Sequence, residues 1–104
     1  VTLALVVRFD LPDAAAAQRF DALLGAALPA VRTEPGTHLY VPHTSDTEPL
    51  ARLVYAVYAD RAAHERHNAA PAMARFLREL PGLRAAVRVE ELVPVPDAPR
   101  VPPV

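Results

Sequence analysis

Leu3 to Phe9 is an apolar, β-branched run with a charge only near its end, at Arg8. That pattern predicts a central strand. Pro12 stands where a helix should begin, and Asp10 or Asp13 is placed to cap it. Phe20, Leu23, Leu24, Ala27, Leu28 and Val31 then recur at helical spacing and form one apolar face. Pro29 falls in the last turn and is expected to kink or tighten it. Glu34-Pro35-Gly36 reads as a turn in which Gly36 is free to take a positive φ.

Thr37 to Val41 predicts a second strand, with Pro42 expected to limit its length. His43 to Pro49 is a polar hairpin loop, and Arg52 to Ala59 is the partner strand. Both faces of that strand are apolar or aromatic: Leu53, Tyr55 and Val57 on one, Val54, Ala56 and Tyr58 on the other. A strand apolar on both faces is covered on both. One layer of helices covers one side, so a second subunit is the simplest cover for the other. Asp60 then caps a helical region that Pro71 divides, and Met73, Phe76, Leu77 and Leu80 form its later apolar face. Pro81-Gly82 is expected to stop it, and Arg84 to Val93 is the last strand. The order βαββαβ is the ferredoxin-like motif, an α+β fold with one antiparallel sheet and two helices on one face. Residues 1–93 therefore make the domain. From Pro94 onward, five prolines in eleven residues predict an extended tail over 94–104.

Composition narrows the function classes. A chain of 104 residues is one domain, and on its own buries only about two thirds of its unfolded surface, so dimerisation would help it. Net charge is −1, without the basic excess that nucleic-acid binding normally shows. Cysteine is absent, which removes disulfide and thiolate chemistry. No apolar run reaches the ~18 residues of a membrane span. Val1 to Val7 is short and followed at once by Arg8, so it reads as a strand and not a signal peptide, and a cytoplasmic location is expected.

Several features taken in order carry a resemblance. They are Glu34-Pro35-Gly36-Thr37-x-x-Tyr40, then Val54-Tyr55-x-x-Tyr58-x-Asp60, then His67-x-x-x-Pro71 and Phe76. Over about residues 3 to 93 the chain resembles the antibiotic biosynthesis monooxygenase family of the dimeric α+β barrel superfamily. That resemblance implies a homodimer whose sheets complete a barrel, and a cavity beside the broken second helix. It puts His67 at the cavity mouth, His64 where the family usually has leucine, and Tyr58 in place of a common tryptophan. Tyr40 and Tyr55 fall on aromatic positions of the family, and Arg78 on an arginine that some quinone-forming members place over the pocket.

Each residue also has a plainer reading. His67 is otherwise a half-exposed helix histidine, and the tyrosines are otherwise core. Arg78 is otherwise a solvated helix residue, because it lies opposite Met73, Phe76 and Leu77. His38 either points into the pocket or sits on the surface of an edge strand, and Asn68, next to His67, is a candidate substrate contact. His64 and His67 lack an evident third ligand, so no metal is expected. The chain departs from the family at Ala56, Ala72 and Met73, and it has no tryptophan, which argues against heme degradation. No Gly-rich phosphate loop supports a nucleotide or flavin, so no cofactor is expected.

What the resemblance implies is a cofactor-independent monooxygenase of an aromatic, polyketide-like anthrone or hydroquinone. His67 or His64 would be the base, while Tyr58 and Arg78 would steady the anion. Tyr40, Tyr55, His38 and Asn68 would contact substrate. Two alternatives use the same pocket: a polyketide cyclase or isomerase that needs no oxygen, and a non-catalytic ligand-binding accessory protein.

Overall fold

A computed structural model describes residues 2–99. The elements follow in the order β1 (Leu3–Asp10), α1 (Ala14–Val31), β2 (Thr37–Thr44), β3 (Ala51–Tyr58), α2 (Arg61–Ala69), α3 (Pro71–Glu79) and β4 (Ala86–Leu92), with a 3₁₀ turn over Leu80–Leu83. The sheet has four strands in the order β2-β3-β1-β4, every pair antiparallel. This is the ferredoxin-like α+β arrangement.

Register sorts the side chains onto two faces, because directly paired residues share a face. Leu5 pairs with Ala56 and Val7 with Val54. Val7 also pairs with Val89, Phe9 with Val87, and Tyr40 with Ala56. This face turns toward the helices and joins Phe20, Leu24, Met73 and Phe76 in one core cluster. Phe9, Phe20 and Phe76 meet there in tilted and edge-on contacts, with centroids 4.8 to 6.2 Å apart. The opposite face carries Val6 against Tyr55, Arg8 against Leu53, and Leu39 against Val57. Among the described residues no helix packs on it, and Tyr55, Leu53, Val6 and Leu39 remain half-buried.

Local details differ from the sequence reading in informative ways. Asp13, not Asp10, caps α1, accepting from the Ala16 amide at 2.8 Å. Helix α1 continues past Pro29 to Val31. Strand β2 runs through Pro42 to Thr44, which is tolerated because β2 is an edge strand whose outer side needs no donor. Gly36 does not adopt a positive φ. Its lack of a side chain serves close approach instead, since a Cβ there would sit 2.7 Å from Ala63 Cβ on α2. At the end of α3 the left-handed residue is Arg84 and not Gly82, and β4 accordingly begins only at Ala86.

Ala70 is the hinge between α2 and α3. Its ψ of 141° is extended, as a residue before proline prefers, and Pro71 then starts α3 where its missing N–H costs nothing. Among the described residues no helix is long and apolar enough to cross a membrane. The proline-rich segment is exposed over the part described, to residue 99. Residues 100–104 of the expected tail lie outside the described residues.

Candidate functional site

Asp60 fixes the start of α2 by accepting from the Ala63 amide at 2.8 Å. The bare Cα of Gly36 lets Ala63 press against the end of the Glu34–Gly36 turn. Together these two devices seat α2 over β2 and β3, and the helical spacing of three brings His64 and His67 to the same side. Because the chain breaks at Ala70, α3 leaves at a new angle and opens a cavity of about 190 Å³ between the sheet and the broken helix. Tyr40, Tyr58, His64, His67 and Asn68 line one end of it. Leu5, Val7, Phe9, Met73 and Phe76 form the apolar remainder, and Leu77, Val87 and Val89 sit at its rim.

His67 is only 3 % exposed and is the one polar or charged residue buried among the described residues. Its Nδ1 lies 2.7 Å from Oε1 of Glu34. The same Oε1 accepts from the Thr37 hydroxyl at 2.8 Å, which fixes the carboxylate in place. A ring nitrogen facing a carboxylate carries the proton, so Nδ1 donates and Nε2 keeps its lone pair. Among the described residues Nε2 has no hydrogen-bond partner, and His67 faces the cavity.

The His67 ring stands between two phenols, 5.1 Å from Tyr40 and 5.2 Å from Tyr58. Burial, and then the Glu34 carboxylate, push the Tyr40 phenol up to about 12. Burial, followed by Tyr40 and Glu34, also raises Tyr58. Both therefore stay protonated at neutral pH and can act as hydrogen-bond donors. His64 stacks near His67 at 6.5 Å and packs on Tyr58 at 4.8 Å. Asn68 Nδ2 lies 3.3 Å from His64 Nε2 and, as a donor only, assigns that nitrogen an acceptor role. Burial, then the neighbouring His67 and Arg61, lower the His64 pKa below its ordinary 6.5, so the ring is neutral at pH 7.

Three expected site residues lie elsewhere. Tyr55 is on the sheet face away from the helices, because it pairs with Val6 and Val41 and not with the Val7–Val54 row. Arg78 is exposed and borders a surface cleft with Arg19, Leu23 and Glu79, so no guanidinium from it reaches the cavity. The helix face opposite Met73 and Phe76 puts it there. His38 sits at the register shift between Thr37 and Leu39, turned toward α1 beside Leu28 and Val31, and its Nε2 is buried without a partner. Conversely, the sequence marks Glu34 as a turn residue and as part of the motif that carries the resemblance, with no role at the site. Its partnership with His67 joins residues 33 positions apart, a relationship that no local pattern carries. Among the described residues no three His, Cys, Asp or Glu side chains cluster as metal ligands would.

Solved structures share this arrangement. Rv0793 from Mycobacterium tuberculosis is 25% identical with a TM-score of 0.81, covering 91% of this chain and 96% of that one. PA3566 from Pseudomonas aeruginosa is 23% identical with a TM-score of 0.81, covering 90% and 94%. SnoaB, a cofactor-independent oxygenase from Streptomyces nogalater, is 17% identical with a TM-score of 0.76, covering 95% and 98%. No curated protein matches the chain. The sequence profile of the antibiotic biosynthesis monooxygenase family matches residues 2–79 of the 104, which takes in every residue lining the histidine end of the cavity. The chain belongs to the antibiotic biosynthesis monooxygenase family.

Proposed function

We propose that this protein is a cofactor-independent monooxygenase of a hydroxylated aromatic or anthrone-like, polyketide-type substrate, and that His67 is its general base. The observation that supports this most is the buried 2.7 Å contact between His67 Nδ1 and Glu34 Oε1 at the end of an apolar, aromatic cavity. The carboxylate holds the imidazole in one tautomer and offsets the imidazolium that forms, so Nε2 is presented to substrate as an acceptor.

The reaction then needs little else from the protein. Nε2 takes a proton from an acidic carbon or phenol of the substrate. The resulting carbanion or phenolate passes electrons to dioxygen and forms a carbon–oxygen bond. Loss of water from the hydroperoxide leaves a new carbonyl. One oxygen atom stays in the product and the other leaves as water, so the substrate supplies all the electrons. Tyr40 and Tyr58, kept protonated, donate hydrogen bonds to the developing oxyanion. His64 is neutral and its Nε2 is occupied by Asn68, which suits an orienting role better than that of the base.

A homodimer fits the same reading. Among the described residues the sheet face bearing Val6, Leu39, Leu53 and Tyr55 has no helix over it, and a second copy packed face to face would complete a barrel. The name of SnoaB, a cofactor-independent oxygenase, agrees with oxygen chemistry on this fold.

Turnover of anthrone or of 1,5-naphthalenediol, neither of which reaches a quinone without a new carbon–oxygen bond, tests the proposal under ¹⁸O₂. One labelled atom in the quinone product, with no added flavin or metal and no turnover under nitrogen, is the expected result. Turnover that continues under nitrogen would replace it with the cyclase or isomerase alternative.

A further inference from the structure

The charge inside the cavity is one-sided. Glu34 stands behind His67, and its field contributes to the raised pKa of both Tyr40 and Tyr58. The chain has no lysine, and among the described residues no arginine lines the cavity. Arg66, next to His67 in sequence, is exposed and lies against the Gly36 end of the turn without lining the cavity, and Arg61 is engaged with Glu91 at 3.2 Å on the surface. A negative potential with no cation to answer it opposes an anionic ligand. A carboxylate brought into such a space loses its water and gains no ion pair.

The walls of the cavity favour a flat ring system. Tyr40, Tyr58, His64 and His67 surround its polar end as flat walls, and Leu77, Val87 and Val89 make the rim apolar.

We infer that the cavity selects an uncharged hydroxyarene, and that Glu34 is the determinant that rejects carboxylated analogues. This rests on the reading of the cavity as the substrate site. The substrate enters neutral. Its anion arises only when a proton moves to His67 Nε2, so the new negative charge faces a new imidazolium and the net charge of the cavity is unchanged. A pre-existing carboxylate has no such partner.

Binding alone tests this, so the outcome is independent of whether oxygen is consumed. The probes are 2-naphthol, 2-naphthamide and 2-naphthoate, which share one ring skeleton. Their fluorescence can be read directly because the chain has no tryptophan. At pH 7 the alcohol and amide should bind alike and the carboxylate at least about tenfold more weakly. Glu34→Gln keeps the shape and removes the charge, and should narrow that gap at least about threefold. Naphthoate binding as tightly as naphthamide to the unmodified protein would overturn the inference, as would failure of both neutral probes to bind. An unchanged gap in folded Glu34→Gln would overturn the role of Glu34.

Discussion

His67 Nδ1 and Glu34 Oε1 meet at 2.7 Å in a site where the histidine is almost entirely buried and the carboxylate is also held by Thr37. The pairing gives α2 and the Glu34–Gly36 turn a shared function: the turn supplies the orienting group, and the helix supplies the base. It also explains why Gly36 is placed where it is. Only a residue without Cβ lets Ala63, one turn before His67, come close enough for the carboxylate to reach the ring.

Replacing the carboxylate should therefore impair turnover more than folding. In Glu34→Gln the imidazole loses its fixed tautomer and the charge opposite its protonated form. Turnover should fall by at least about tenfold, and by up to ~10⁴ if the wrong tautomer dominates. The thermal midpoint should change little, because the amide fills the same volume as the carboxylate. Steady-state rates alongside a thermal melt separate the two effects.

Gly36→Ala tests the close approach. The added Cβ would lie 2.7 Å from Ala63 Cβ, so either the turn or α2 must move. Overpacking of this kind costs about 1–3 kcal/mol. The expected result is a lower denaturant midpoint with an unchanged m-value, together with reduced activity as His67 and Glu34 separate.

His64 makes stability depend on pH. Burial, then the neighbouring His67 and Arg61, lower its pKa in the fold below 6.5, the ordinary value it regains on unfolding. The unfolded chain therefore takes up the proton more readily than the folded one. The contribution is complete above pH 6.5 and is lost as pH falls toward the folded value. Urea melts from pH 8 down to pH 5 should show this loss, and His64→Gln should flatten the slope. A slope unaffected by that substitution would remove His64 as its source.

Tyr40 and Tyr58 should behave as donors, not as anions. Tyr40 titrates at about 12, so Tyr40→Phe should lose almost no tyrosinate absorbance at pH 10 relative to the unmodified protein. The same substitution keeps the aromatic wall and removes one donor to the oxyanion. A fall in turnover of about 10²-fold without loss of ligand binding is expected.

The uncovered sheet face predicts assembly. Light scattering should give twice the 11.2 kDa of one chain, and an interface of this kind should bury well above ~1,000 Å². Leu53→Asp, placed in the middle of that face opposite Arg8, should shift the protein toward the monomer.

Hydrophobic periodicity made the strands, both helical regions and the break at Pro71 legible, because each is a local consequence of spacing. Tyr58, His64, His67 and Asn68 are site candidates through the family resemblance, and one turn of helix and one strand end bring them to the cavity. Tyr55 could not be placed, since a strand apolar on both faces does not say which face meets the helices. Arg78 followed the polar side of α3, which its opposition to Met73 and Phe76 already indicated. Glu34 escaped notice because its role depends on a contact across two elements, and a glutamate before Pro-Gly looks locally like turn chemistry.

Oxygen uptake by His67→Ala, measured beside the unmodified protein on the same anthrone or naphthalenediol surrogate, tests the central claim most directly. Loss of a general base costs ~10² to 10⁴ in rate, so uptake should fall by at least about a hundredfold while circular dichroism and oligomeric state remain unchanged. Full uptake in a correctly folded His67→Ala protein would contradict the assignment of His67 as the base.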